Sequence, residues 1–265
     1  MSERAEDRRG ALHERIAVIT GSSQGIGAGI AKLFAECGAR VTVHGQERED
    51  AEAVASDLRL RGAEAIAVAG DLREETACRN LISHTCKHFG TVDILVNNAA
   101  IFPRGNIDNT STALWDEVMA TNLRAPFILC REAVKAMKQC RNGGCIINIG
   151  SVNAYVGARN LLAYSASKGG LMTFTRNLAF DLEQFRIRVN QINPGWVLTE
   201  GERRMQSIGE GKGENWLDSA LETRPFGRML SPEDIARAAL FLATTELITG
   251  AVLDYEQTVI GAPRE

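Results

Sequence analysis

"RIAVITGSSQGIGAGIAKLFAECG", at residues 15–38, is the stretch that decides the fold. It begins with a short β-branched run, continues into a loop with Gly21, Gly25 and Gly27, and ends in apolar residues at helical spacing. Glycines in such a strand-to-helix turn let the backbone approach a pyrophosphate, whose negative charge the helix N-terminus favours. The stretch therefore predicts the first strand, loop and helix of a dinucleotide-binding sheet.

The same alternation of strand and helix continues along the chain. Short β-branched runs predict seven strands, at residues 15–20, 40–44, 64–70, 92–98, 145–151, 187–193 and 251–255. Amphipathic segments between them predict helices, at residues 25–37, 49–61, 74–89, 112–139, 164–184 and 232–243. Because parallel strands need crossover connections, this order predicts an α/β, doubly wound (Rossmann) fold, with a mostly parallel seven-stranded sheet and helices on both faces.

The length of the chain fits one domain. Its 265 residues, 45% of them hydrophobic, can bury one sizeable core. We predict a flexible N-terminal tail over residues 1–14 and a single dinucleotide-binding catalytic domain over residues 15–265. Residues 195–230 interrupt the alternation with sequence rich in Gly and charge, and a loop of that length is usually functional or disordered. We expect a substrate lid there.

Composition argues against several classes of protein. A formal net charge of -3 without a dense Lys/Arg block argues against a nucleic-acid partner. Residues 1–14 lack the apolar core of a signal peptide, and no stretch reaches the roughly 20 apolar residues of a membrane span, so we expect a cytoplasmic protein without a membrane partner.

His84, Cys86 and His88 lie close in sequence, but Cys86 is off the helical face that the histidines share, and we predict no metal site.

Tyr164 and Lys168, in the segment YSASK, are the first candidates for catalysis. Residues four apart on a helix share one face, so the lysine ammonium could stabilise the tyrosine phenolate and lower its pKa from about 10. Ser151, at the end of the fifth predicted strand, could hydrogen-bond a substrate carbonyl or alkoxide. A serine hydrolase is the competing chemistry, but Ser151 is not in a GxSxG elbow and no histidine follows it.

Several motifs together resemble the short-chain dehydrogenase/reductase family, over nearly the whole chain. They are TGSSQGIG at 20–27, GDL at 70–72, NNAA at 97–100, YSASK at 164–168 and NPGWVLT at 193–199. The resemblance implies that Ser151 positions the substrate, that Tyr164 transfers a proton and that Lys168 binds the nicotinamide ribose and tunes the tyrosine. It also implies that Asn122, in MATNLRAPF, supports a water relay. The family usually has NNAG, and Ala100 is a departure that should be tolerated if the backbone there needs no positive φ.

The resemblance also implies a nicotinamide dinucleotide cofactor. Asp71 would hold the adenine, and the Pro-Gly turn with Thr199 would embrace the nicotinamide end. The expected cofactor contacts are Gly21, Ser23, Gln24, Gly25, Ile26, Gly27, Gln46, Asp71, Leu72, Asn98, Ala99, Tyr164, Lys168, Pro194, Gly195, Val197 and Thr199.

The end of the second strand, VTVHGQERED at 41–50, bears on the choice between NAD and NADP. An acid there would hold the ribose 2′-hydroxyl of NAD, whereas a nearby Arg would accommodate the 2′-phosphate of NADP. Gly45 stands where the acid would be, Gln46 stands where NADP enzymes of the family often have Arg, and Arg48 could reach a phosphate. Because no acid would repel the phosphate, the sequence favours NADP, with NAD as the alternative.

We expect an NAD(P)-dependent oxidoreductase that interconverts a carbonyl and a secondary alcohol, in which Tyr164 moves the proton. A sugar or polyol is the first hypothesis for the small-molecule substrate, and a 3-oxoacyl thioester is the alternative. Polar residues suggest the former, namely Arg104, Asn153, Arg159 and Asn160. Pocket or lid residues should include Phe102, Tyr155, Trp196, Met205, Trp216 and Phe226.

Two rival functions use the same fold. A catalytically idle, dinucleotide-sensing binding protein would be expected to lack Tyr164 or Lys168. An epimerase or lyase of this kind usually carries a larger substrate domain.

The resemblance further implies a homotetramer, assembled through the helices at 112–139 and 164–184 and through the terminal region. The ending TGAVLDYEQTVIGAPRE departs from the TGxxxxVDGG pattern of the family, which leaves the second interface open.

Overall fold

A seven-stranded sheet forms the centre of the computed structural model, which describes residues 10–140, 143–211, 213 and 215–261. Its strands in this part of the chain are β1 (Ile16–Ile19), β2 (Arg40–Gly45), β3 (Ala65–Ala69), β4 (Ile94–Asn97), β5 (Gly144–Ile149), β6 (Ile187–Pro194) and β7 (Val252–Tyr255). They are all parallel and lie in the order β3-β2-β1-β4-β5-β6-β7. The chain winds outward in opposite directions from β1 and β4, which opens a crevice at their carboxyl ends.

Helices connect the strands. The described residues form α1 (Gly25–Glu36), α2 (Arg48–Leu60), α3 (Glu75–Phe89), α4 (Thr112–Met119), α5 (Ala125–Cys140), α6 (Leu162–Leu182), α7 (Glu200–Arg204), α8 (Trp216–Glu222) and α9 (Pro232–Thr244). One π-helical turn (Ala120–Arg124) joins α4 to α5, and another (Met205–Gly209) follows α7. In the portion of the chain that the structure describes, no helix is long and apolar enough to cross a membrane.

The inner strands are apolar on both sides because helices cover both faces of the sheet. In β4, Ile94 and Val96 pack into the cluster that contains residues of α1, α2 and α9. Leu95, between them, packs into the opposite cluster with residues of α3, α5 and α6. This alternation follows from the two-residue period of a strand. Truncating Leu95, which is fully buried, to alanine would cost about 2–5 kcal/mol of folding free energy.

The register brings the strand ends to one level. Ile19 of β1 pairs with Val43 of β2 and with Val96 of β4, and Val96 pairs with Ile147 of β5. Residues that follow these strands therefore lie side by side at one edge of the sheet.

The predicted fold class is confirmed, and every predicted strand lies within two residues of the observed one. The predicted helix at 112–139 is interrupted by the π turn, which sequence periodicity did not indicate. The predicted lid contains α7, the second π turn and α8. Of the predicted tail, residues 1–9 lie outside the described residues, whereas residues 10–14 form hydrogen-bonded turns in which Leu12 is buried.

Candidate active site

A cavity of about 1350 Å³ lies at the carboxyl ends of the central strands. It is lined by the glycine loop after β1, the segment after β4, the segment after β5, α6 and the predicted lid. An open parallel sheet binds its ligands in this place. The cavity is therefore the candidate active site.

The glycine loop forms a cradle that side chains would fill. Gly21 and Gly25 have φ values of +60° and +56°, in the left-handed region that favours glycine. A Cβ on Gly27 would collide with the carbonyl oxygen of Gly21 and the side chain of Asn98. The loop thus leaves backbone open at the N-terminus of α1, which fits the pyrophosphate of a dinucleotide.

Thr20 and Asn98 join the glycine loop to the end of β4. Thr20 Oγ1 accepts hydrogen bonds from the backbone N–H groups of Asn98, at 2.9 Å, and Ala99, at 3.0 Å. Asn98 Nδ2 donates to the carbonyl oxygens of Thr20, at 2.9 Å, and Gly21, at 3.0 Å. These bonds fix two walls of the cavity relative to each other.

His44, at the end of β2, accepts a hydrogen bond from the glycine loop. The sequence did not identify it as a site residue. The N–H of Gly21 donates to His44 Nδ1 at 3.2 Å, so Nε2 carries the ring proton and donates to the carbonyl oxygen of Gly70 at 3.1 Å. Burial lowers the pKa of His44 to about 4, while the bond to Gly70 opposes that shift. The only signal in the sequence was a histidine at the end of the second predicted strand, next to Gly45.

The predicted catalytic trio lines the cavity together: Ser151, Tyr164 and Lys168. The end of β5 places Ser151, and the first turns of α6 place the other two. Lys168 Nζ lies 5.6 Å from the centre of the Tyr164 ring and donates to the carbonyl oxygen of Ile149 at 2.7 Å. The ring of Phe102 packs edge-on against Tyr164, with centroids 6.2 Å apart.

The electrostatics of this trio differ from the sequence expectation. Burial raises the pKa of Tyr164, and repulsion from Glu202 adds to the rise, while a hydrogen bond with Ser151 and the charge of Arg104 lower it. Burial lowers the pKa of Lys168 to about 8. The expected net lowering of the tyrosine pKa is therefore not found, because burial outweighs the groups that lower it.

Asn122 lies in the π turn between α4 and α5, behind the cavity wall. Its side chain exchanges hydrogen bonds with the backbone of Ile101, at 2.9 and 2.8 Å, and donates to Ser167 Oγ at 3.1 Å. Such turns are frequent at functional sites. Here the turn ties the loop after β4 to α6, which carries Tyr164.

Asn193 supports Ser151, and this role was also missed. Asn193 Oδ1 accepts the N–H of Ser151 at 3.1 Å, and Asn193 Nδ2 donates to Asp254 at 3.0 Å. A fully buried asparagine inside β6 needs such partners. The orientation of the serine thus depends on β6 and β7.

At the other end of the cavity, Asp71 is already paired. Arg73 donates to both of its carboxylate oxygens, at 2.8 and 3.0 Å among other contacts, and this bonding lowers the pKa of Asp71. Gln46, Glu47 and Asp50 also line this end of the cavity.

The cavity brings together most of the predicted site residues. Those that line it are Gly21, Ser23, Gln24, Gly25, Ile26, Gln46, Asp71, Leu72, Asn98, Ala99, Ser151, Tyr164, Lys168, Pro194, Gly195, Val197 and Thr199. Gly27 instead packs α1 against Gly21, and Asn122 lies behind the wall. Of the side chains expected to line a pocket or close a lid, Phe102 and Trp196 line the cavity and Tyr155 does not. Met205, Trp216 and Phe226 lie in the segment 195–230 without lining the cavity.

The C-terminal segment forms part of the wall. Glu256 Oε2 accepts the N–H of Trp196 at 3.2 Å, and Glu256 Oε1 lies 3.5 Å from Arg224 Nη1. A Cβ on Gly195 would collide with the Glu256 carboxylate. The departure from the VDGG pattern therefore places an acid against the Pro-Gly turn.

The histidine and cysteine cluster of α3 shows no metal-binding arrangement. His84, Cys86 and His88 lie on that helix. Within the described ranges, no three His, Cys, Asp or Glu side chains are grouped so that they could hold a metal ion.

A family model described as short chain dehydrogenase matches residues 15–207. An uncharacterised oxidoreductase of Thermotoga maritima is 38% identical over 253 residues, which cover 94% of this chain and 97% of that protein.

Two solved structures with bound nucleotides are similar to the chain. The 3-ketoacyl-(acyl-carrier-protein) reductase of Brucella melitensis, in complex with NADH, has a TM-score of 0.83 and 31% identity, and the match covers 93% of this chain and 98% of the reductase. A Beutenbergia cavernae protein, provisionally named an NAD(P)-dependent gluconate 5-dehydrogenase and holding NADP at low occupancy, has a TM-score of 0.84 and 33% identity, with 93% and 96% covered.

Proposed function

The chain belongs to the short-chain dehydrogenase/reductase family of NAD(P)-dependent oxidoreductases, and we propose that it interconverts a secondary alcohol and a carbonyl on a small hydroxylated molecule. The observation that carries the proposal is the meeting of Ser151, Tyr164 and Lys168 in the cavity that the glycine loop lines. When bound, the nicotinamide supplies or accepts the hydride.

The chain's own residues handle the oxygen and the proton. In the reduction direction, the hydroxyls of Ser151 and Tyr164 donate hydrogen bonds to the carbonyl oxygen of the substrate, where negative charge develops. Tyr164 then transfers its proton to that oxygen, and oxidation reverses the transfer. The raised pKa of Tyr164 favours its neutral, proton-donating form.

Lys168 tunes this proton transfer. Below a pH of about 8 its side chain is an ammonium, which stabilises the phenolate that Tyr164 becomes after donation. The sequence resemblance adds a contact with the nicotinamide ribose. Asn122 would support a water relay to this lysine through the π turn.

For the cofactor, we propose that both nicotinamides bind and that NAD is preferred. The sequence favoured NADP because Gly45 removes an acid. The cavity near Gly45 is lined by Glu47 and Asp50, however, and Arg48 is not among its lining residues. Two carboxylates would repel a 2′-phosphate. Values of kcat/KM with each cofactor test the preference, and a higher value with NADP would refute it.

For the substrate, a sugar or polyol is better supported than a 3-oxoacyl thioester. Arg104 and Asn153, two of the four polar residues that suggested such a substrate, line the cavity. Glu202, Gln206 and Arg224 add further polar groups. An acyl chain would have to desolvate them without compensating hydrogen bonds. A 3-oxoacyl thioester is the second candidate, because the similar Brucella protein is a 3-ketoacyl-(acyl-carrier-protein) reductase.

Net change in nicotinamide absorbance during incubation with sugars, polyols, hydroxy acids and ketones tests the proposed function. A dehydrogenase shows such a change with at least one of them. A dinucleotide-sensing protein would bind the cofactor and show none, as would an epimerase that returns the hydride.

We also propose a homotetramer. An open apolar groove lies between the α4–α5 segment and α6, with a lining that includes Met119, Leu123, Phe127 and Phe174. Phe127 is 47% exposed in the single chain, and large exposed apolar patches often mark interfaces. Light scattering tests the assembly, and a monomer at all concentrations would contradict it.

A further inference from the structure

Trp196 fixes a carboxylate at the substrate side of the cavity. Its Nε1 donates to Glu202 Oε1 at 2.7 Å, and Gln206 Nε2 donates to the same oxygen at 2.8 Å. The backbone N–H of Glu202 donates to Thr199 Oγ1 at 3.0 Å, which caps α7. The carboxylate is therefore held by two donors on one oxygen, and the backbone that carries it is fixed by the cap.

The second oxygen of this carboxylate is available to a ligand. Glu202 lines the cavity, and its Oε2 accepts no hydrogen bond from any described residue. The nearby cations have other carboxylate partners. Arg104 pairs with Glu210, and Arg224, which stacks over the Trp196 ring at 5.6 Å, pairs with Glu256.

Glu202 also lies within electrostatic reach of the catalytic tyrosine. Its charge raises the pKa of Tyr164, while Arg104 acts in the opposite direction. The other charged groups that line this side of the cavity are Lys168, Arg224 and Glu256. An acceptor oxygen thus lines the same cavity as Tyr164 and lies close enough for its charge to act on the tyrosine.

We propose that Glu202 is a specificity-determining residue, whose carboxylate accepts hydrogen bonds from a hydroxyl group next to the reacting carbinol of a neutral, polyhydroxylated substrate. This inference rests on the proposed dehydrogenase function. A hydroxyl donor satisfies the carboxylate without adding charge. A cationic substrate would meet Arg104 and Arg224, and an anionic group at this position would be repelled by Glu202 itself.

The test compares wild-type protein with Glu202→Gln and with the matched control Glu200→Gln. Glu200 lies on the same short helix, is exposed, pairs with Arg204 at 3.6 Å and does not line the cavity. The substrates are alditols of four to six carbons and the matching monohydric secondary alcohols. Glutamine keeps an oxygen for Trp196 and Gln206, so thermal unfolding should be similar in all three proteins.

We expect kcat/KM for alditols to fall about 10- to 100-fold in Glu202→Gln, because a charge-assisted hydrogen bond is lost. The value for monohydric alcohols, which lack the hydroxyl that Glu202 would bind, should fall much less than the value for alditols when each is taken at the plateau of its pH profile, and Glu200→Gln should match wild type. The pH profile of Glu202→Gln should also move to lower pH, because removing the negative charge lowers the pKa of Tyr164. That shift reports the charge of Glu202 near Tyr164, whereas a loss confined to alditols reports the contact with the hydroxyl group.

Equal losses with both kinds of alcohol, or no loss with alditols, would overturn the role of Glu202. Titration of tryptophan fluorescence with alditols gives a readout that is independent of turnover, since Trp196 contacts Glu202. Alditol binding that is lost in Glu202→Gln supports the inference even if nothing is oxidised. If the wild type neither binds nor oxidises alditols, the inference fails, whereas turnover of monohydric alcohols would still uphold the proposed function.

Discussion

The Lys168 ammonium group donates its hydrogen bond to the carbonyl oxygen of Ile149, 2.7 Å away, and not to Tyr164. The two catalytic candidates share a helical face, yet the lysine is anchored to the end of β5. Its position is therefore set by the sheet, and its Nζ lies 5.6 Å from the centre of the Tyr164 ring.

Replacing Lys168 with methionine should change how stability depends on pH. Burial lowers the lysine pKa from 10.5 to about 8. The unfolded chain therefore holds this proton up to higher pH than the folded chain does, and the lysine makes wild-type stability rise from pH 8 to about 10. The rise should be about 2–3 kcal/mol. Urea unfolding across this range measures it, and an identical slope in Lys168→Met would contradict the assignment.

His44 should make the protein sensitive to acid. Its folded pKa of about 4 lies below the ordinary 6.5, so only the unfolded chain gains a proton between these values, and stability falls as the pH drops through that window. His44 should account for up to about 3 kcal/mol of the fall in the free energy of unfolding. Glutamine can keep both hydrogen bonds without titrating, so His44→Gln should show a smaller loss in urea unfolding at pH 4 to 7.

Gly195 and Glu256 should be energetically coupled. Gly195→Ala should destabilise the protein by about 1–3 kcal/mol, because the added Cβ collides with the Glu256 carboxylate. Glu256→Gly removes that carboxylate, so the alanine should cost little in the double variant. A double-mutant cycle by urea unfolding measures the coupling, and additive effects would show that the contact is unimportant.

Much of this architecture could be predicted from the sequence. Strands buried on both faces are visible as β-branched runs, and the glycine loop is a pattern typical of dinucleotide binding. Tyr164 and Lys168 could be paired because helical spacing is local. The contact between His44, Gly21 and Gly70 could not, since it depends on the order β3-β2-β1. The Trp196 to Glu202 bond depends on the path of the lid, which has no periodic pattern.

The direction of the Tyr164 pKa shift was also beyond the sequence. Helical spacing placed a cation nearby, but burial of the phenol raises its pKa and is the largest cause. How deeply a side chain is buried is a property of the assembled cavity.

The most direct test of the catalytic proposal is the turnover of Tyr164→Phe with a substrate that the wild type oxidises or reduces. Phenylalanine removes only the hydroxyl that moves the proton, so nicotinamide binding and thermal unfolding should stay near wild type. We predict that kcat falls by at least about 10²-fold, the lower range for loss of a general acid. A variant that binds the cofactor normally and retains a near-normal kcat would contradict the account.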